Sequence, residues 1–236
     1  MVFRTEIPPL PGRQGTISHG TPLLLIGSCF ADNIGERLSD ALFDVTVNPF
    51  GPLYNPASIL AALATETVDD SLFVDRDGLT HHYLAHSRLS RESRESASEA
   101  LGEAIRQSRE ALKKAGVVII TLGTTRCFTL KPSGRVVANC HKMPASTFGE
   151  TRLSPDECID LLCKTVDLIR RVAPEEVKVI FTVSPVRYLG EGAHGNQLSK
   201  SKLLLAVEEV LRRFPGLTDY FPAYEIITDD LRDYRF

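Results

Sequence analysis

Three runs of aliphatic residues constrain this chain most: LLLI at 23–26, VVIITL at 117–122 and KVIFTV at 178–183. Each is almost continuously apolar, and the last two are rich in β-branched residues. A strand with one wet face would alternate; these predict strands covered on both faces. The segments between them read as helices. Ile34 and Leu38 share a face in residues 31–42, SILAALA follows Pro56, and residues 93–115 are helical by composition. Ser154-Pro155-Asp156-Glu157 is a capping box with proline in the first turn. A further helix is expected over residues 199–214. Buried strands alternating with helices predict an α/β chain, a three-layer α/β/α fold of flavodoxin-like kind around a central parallel sheet.

The smaller elements fill in around that frame. Residues 45–47 predict a short second strand. Residues 126–130 and 135–138 flank Lys131-Pro132-Ser133-Gly134, a hairpin signal. Residues 66–90 are polar and His-rich and read as an insertion or small hairpin over the sheet. Residues 1–21 predict an irregular lead-in, 220–227 a last strand and 229–235 a helical turn, with Asp229, Asp230 and Asp233 on a solvated face. No linker or repeat interrupts the sequence, so a single domain over residues 1–236 is expected.

Charge narrows the function classes. With 27 basic and 30 acidic residues the net charge is −3, which gives no electrostatic case for nucleic acid or an anionic membrane. No apolar run approaches the roughly 20 residues that span a bilayer. The N-terminal residues lack the apolar core of a secretory signal, so a cytoplasmic location is expected. Five cysteines without a CxxC pair suggest neither a disulfide framework nor a zinc site. There is no P-loop, GxGxxG or metal-hydrolase motif, so neither a cofactor nor a metal is expected.

In parallel α/β sheets, ligands bind outside the carboxyl ends of the strands. The loops there are Gly27-Ser28-Cys29, Asn48-Pro49-Phe50-Gly51, Gly123-Thr124-Thr125 and Ser184-Pro185-Val186-Arg187. The first is a sharp strand-to-helix turn. Unpaired backbone N–H groups and the helix dipole favour negative charge there, which suits a nucleophile. Both Ser28 and Cys29 are candidates. His141, in NCHK beside Asn139, and His194, in the Gly-rich GEGAHGNQ loop, are the candidate general bases. His81, His82 and His86 lack matched acidic or thiol ligands for a metal. Arg187 suits a carboxylate or phosphate. Ser199, beside Asn196 and Lys200, is a plausible helix cap.

Gly27-Ser28-Cys29-Phe30-Ala31, with NPFGPLYNPASI (48–59), TLGTT (121–125), VVANCHKMPA (136–145), SPVR (184–187), NQLSKSKLLLA (196–206) and YFPAYEIITDDLRDYRF (220–236), resembles the GSCFA family over nearly the whole chain. That resemblance implies an SGNH-hydrolase-like fold, whose members act mostly as esterases or acyltransferases. By position, it makes Gly51 a backbone donor to an oxyanion. Thr125 falls where SGNH enzymes have asparagine, leaving Thr124 or a backbone N–H as substitute donor. The register places Cys29 at the nucleophile and Ser28 one position before it. SGNH enzymes end in a D-x-x-H motif; none follows here, which implies a C-terminally incomplete domain. Asn55, Asn139, Arg187 and Asn196 are the candidate substrate contacts. The implied function is hydrolysis of a carboxyl ester, or O-acyl transfer, on a small or carbohydrate substrate. The alternative is a catalytically inactive module that keeps the pocket to bind a ligand.

Overall fold

The computed structural model describes residues 17–231. The expected lead-in over residues 1–16, and the part of the expected last turn that holds Asp233, lie outside the described residues. β1 (Leu23–Gly27) turns at Ser28 into α1 (Cys29–Asp40), followed by β2 (Val45–Val47) and α2 (Pro56–Ala64). A hairpin, β3 (Phe73–Arg76) and β4 (Leu79–His82), leads to α3 (Arg94–Lys114) and β5 (Val117–Leu122). β6 (Arg126–Leu130), β7 (Val136–Val137) and β8 (Phe148–Arg152) precede α4 (Pro155–Val172) and β9 (Lys178–Val183). The described residues close with α5 (Gly192–Arg213), β10 (Thr218–Tyr220) and α6 (Ala223–Glu225), which runs on into a π-helical turn over Ile226–Asp230.

Five strands form one parallel sheet in the order β2-β1-β5-β9-β10. That is the doubly wound order in which the chain direction switches between β1 and β5, so the ligand crevice should open there. Leu24, Ile26, Val118, Ile120, Val179 and Phe181 project into a core shared with α2, α3, α4 and α5. Leu23, Leu25 and Val117 project the other way, against Ala31, Ile34 and Leu38 of α1. The two-sided burial explains why these strands are apolar without alternation. The chain is thus α/β with three layers, as its strand pattern predicts. Gly27 is required at the end of β1: its φ is +140°, and a Cβ would lie 2.1 Å from the carbonyl oxygen of Thr121.

The Lys131–Gly134 segment forms the expected β6–β7 hairpin, and Ser154 and Glu157 make both bonds of the capping box. Residues 66–90 contain the β3–β4 hairpin, turned by Asp77 and Gly78 with φ of 52° and 76°. Three expectations fail. Asp230, expected on a solvated face, is buried. Residues 220–227 are not a strand: β10 pairs with β9 over 218–220, and Pro222, which suits a helix start, turns the chain into α6. The GEGAHGNQ segment is not a loop. α5 starts at Gly192, so Ser199 lies inside the helix rather than capping it. Tertiary bonds of Asn196, Ser199 and Lys200 outweigh the weak helix propensity of the two glycines.

Candidate active site

A cavity of about 420 Å³ opens at the switch point between β1 and β5. Ser28, Cys29, Tyr54, Asn55, Gly123, Thr124 and Ser184 bound it along the carboxyl edge of the sheet. Arg126, Phe128, Val137 and Ala138 of the β6–β7 hairpin form one wall, and Val186, Arg187 and Tyr188 after β9 another. Four loops separated in sequence therefore converge, as the sheet topology requires.

Two helices present their N-termini to this cavity. Ser28, 2% exposed, is the N-cap of α1, and its Oγ accepts the N–H of Phe30 at 3.3 Å. Cys29 is the first helical residue. It is partly exposed, and among the described residues neither its thiol nor its N–H has a hydrogen-bond partner. Asn55 is the N-cap of α2, with its Oδ1 accepting the N–H of Ser58 at 2.9 Å. Among the described residues, its Nδ2 has no hydrogen-bond partner. Both helix dipoles therefore favour negative charge at this cavity, with uncommitted donors from Cys29 and Asn55.

The other expected donors are committed elsewhere. The N–H of Gly51 donates to the carbonyl of Asn48 at 2.7 Å, and Gly51 does not line the cavity. A Cβ there would meet His86 at 2.2 Å, so its glycine serves the turn. Gly123 and Thr124 both donate their N–H groups to the carbonyl of Tyr54, at 2.8 and 2.9 Å. Thr125 is buried; its N–H donates to Ser199 Oγ at 2.6 Å and its hydroxyl lies 3.1 Å from the same oxygen. Thr124 lines the cavity, but its Oγ1 accepts the N–H of Arg126 and contacts Ser199. The GTT loop thus has no backbone donor to offer an oxyanion.

The histidine expectations also fail on position. His194 lies in the first turn of α5, exposed and off the cavity. His141 is buried behind the β3–β4 hairpin, stacked on His81 with ring centroids 4.5 Å apart. Burial pushes its pKa down to about 4. Asn139 accepts the N–H of His141 at 2.8 Å and shapes that turn. Asn196 accepts the N–H of Tyr188 at 3.0 Å, bracing the wall from behind. Arg187 does line the cavity. Arg126 pairs with Glu150, donates to the Tyr188 hydroxyl and stacks over Phe128, so it clamps the two walls together. Among the described residues, no group of three His, Cys, Asp or Glu is placed to hold a metal ion.

The residue that sequence reasoning passed over is Lys200. It is 1% exposed, and its Nζ donates to the carbonyls of Gly123 and Ser184 at 2.7 Å each, at the ends of β5 and β9. Among the described residues, no carboxylate pairs with it. Burial lowers its pKa to about 8, and among the described residues the charge of Cys29 raises it in part. A signal existed: Asn196, Lys200, Leu203 and Val207 recur at helical spacing, so the lysine falls on the apolar stripe of α5.

A family model described as the GSCFA family matches residues 22–236. The chain belongs to the GSCFA family. The turn that gives the family its name is the one that sets Cys29 at the head of α1. No curated protein and no solved structure matches this GSCFA chain. Among the described residues no helix is long and apolar enough to cross a membrane.

Proposed function

We propose that this chain transfers acyl groups through Cys29, as a carboxyl-ester hydrolase or O-acyltransferase on a small or carbohydrate ester. The observation that carries the reading is the division of labour in the first turn of α1. The Ser28 oxygen is buried and capping, while the Cys29 thiol is uncommitted and opens on the cavity. The sulfur attacks the ester carbonyl, a C–S bond forms, and negative charge develops on oxygen. The N–H of Cys29 and the Nδ2 of Asn55 stabilise that oxyanion, aided by both helix N-termini. The C–O bond then breaks, and the leaving alkoxide takes up the equivalent of the proton the thiol lost. Water or an acceptor hydroxyl resolves the thioester and restores the thiol. Tyr54, Phe128, Val137 and Tyr188 supply an apolar wall for the acyl group. The volume falls in the usual range for small-ligand sites, about 300–1,000 Å³. A cytoplasmic setting is part of the proposal, supported by five cysteines that all remain free.

A second reading, a ligand-binding module without turnover, is favoured by the absence of any histidine among the residues lining the cavity. Intact-mass spectrometry after incubation with p-nitrophenyl acetate and butyrate separates the two. Acyl transfer adds one acyl mass, mapped to Cys29 and missing in Cys29→Ala. An unmodified protein that still binds the free acid supports the module.

A further inference from the structure

We infer that Lys200 is the electrostatic partner of Cys29, a positioning residue whose buried ammonium sits behind the cavity and favours the thiolate over the thiol. The inference rests on Cys29 being the nucleophile and goes beyond it by naming what activates the sulfur.

An ammonium inside a protein carries a heavy desolvation penalty and is normally matched by a carboxylate. Lys200 has none. It has two carbonyl oxygens, which satisfy N–H groups without neutralising the charge. Both carbonyls belong to residues that line the cavity, so the ammonium lies directly behind the surface that Cys29 faces. If the lysine only tied β5 to β9, a neutral donor would do so with less desolvation. A cation there has use when negative charge appears beside it, and Cys29 is the group placed to supply it. The attraction is mutual: a charged Cys29 raises the affinity of Lys200 for its proton. In the activation step the thiol proton leaves to solvent through the open side of the cavity, and no bond to Lys200 forms.

The other charged or titratable groups around Cys29 do not fit the part. Asp32, on α1, is held by Asn48 and Arg88. Arg126 is committed to Glu150 and Tyr188. Arg187 lines the far wall and has its own partner. Burial raises the pKa of Tyr54 above its ordinary 10, so it stays neutral where thiols titrate. Lys200 alone combines full burial, a fixed position and a charge that changes near neutral pH.

The test is the rate of Cys29 alkylation by iodoacetamide from pH 5.5 to 10, read by peptide mass spectrometry on the full chain and on Lys200→Met. The inflection should rise by about one pH unit in the variant, with alkylation at pH 7 roughly tenfold slower. Superposable profiles from two folded proteins overturn the inference and leave the Cys29 nucleophile standing. A Cys29 that alkylates only on unfolding sinks both. Should Lys200→Met not fold, the lysine ¹³Cε titration decides. The Lys200 inflection should move to lower pH in Cys29→Ala, and an unmoved inflection overturns the pairing.

Discussion

Lys200 and His141 are both buried and titratable, yet the chain has built opposite surroundings for them. Lys200 lies behind an open cavity, beside two helix N-termini and an uncommitted thiol. His141 lies in a packed stack with His81 and Tyr83, its Nε2 3.0 Å from the carbonyl of His82 and its Nδ1 without a partner. Burial lowers its pKa most; the His82 carbonyl offsets part of that, and the charges of His81 and His86 lower it further. On the proposed reading one environment has a use for charge, and the other excludes it. A displaced pKa therefore does not mark a functional site by itself. Access and an opposing charge separate the Cys29 cavity from the histidine stack.

The sharpest break in that comparison is Cys29→Ala. Acylation by p-nitrophenyl esters should fall at least about 10³-fold, because no other group takes over the attack. The urea midpoint should change little, since the side chain is partly exposed and unbonded. Retained acylation, mapped to another residue, would remove the functional half of the contrast.

Asn55→Asp comes next, because it separates two jobs held by one side chain. Aspartate still accepts the N–H of Ser58, so the cap of α2 survives. The Nδ2 donor disappears, and a negative charge faces the developing oxyanion. Acylation should fall by about 10²–10³ with the melting temperature held. A variant that loses stability and keeps its rate would make Asn55 a cap alone.

The histidine half predicts an effect on stability rather than rate. The folded pKa of His141 is about 4, below the unfolded value of roughly 6.5. Between those values the unfolded chain binds the extra proton, so stability rises with pH across the window and is lost on acidification through it. The loss should approach 2–3 kcal/mol by pH 4, at about 1.4 kcal/mol for each pH unit that separates the folded and unfolded values. Burial moves His82 and His86 in the same direction. Urea unfolding at pH 7 and pH 4.5 measures the slope, which His141→Gln should flatten. An unchanged slope would mean that the stack opens on protonation.

The two regions were not equally legible. The sheet could be read because VVIITL and KVIFTV need cover on both faces, a property of each segment alone. Cys29 could be read because the strand-to-helix turn is local, with three residues defining it. Lys200 could not be read that way. Its place on the apolar stripe of α5 signals burial, but its meaning lies in carbonyls at the ends of two other strands. The GTT donors failed for the same reason. Their N–H groups look available until Tyr54 and Ser199 arrive from elsewhere in the chain. β8, with the sequence FGETR, carries no apolar alternation and is a strand because β6 pairs with it. Position in the chain fixed which residues were near the sheet edge, and tertiary pairing decided which of them stayed free.

Ser28→Ala is the smallest effect and the closest discriminator. If Ser28 is a cap, removing its Oγ leaves the N–H of Phe30 unpaired and should cost about 1 kcal/mol of stability. Acylation should persist at Cys29, within a few-fold of the unaltered protein. If Ser28 were the nucleophile, the same substitution would abolish acylation and the acyl mass would never map to residue 29. Geometry favours the first outcome: Ser28 is 2% exposed and its oxygen already accepts a hydrogen bond, which it would have to give up before it could turn to attack. The thiol beside it needs neither step. Urea midpoints and intact-mass kinetics on Ser28→Ala, run beside Cys29→Ala, therefore assign the two neighbours their separate roles at the head of one helix.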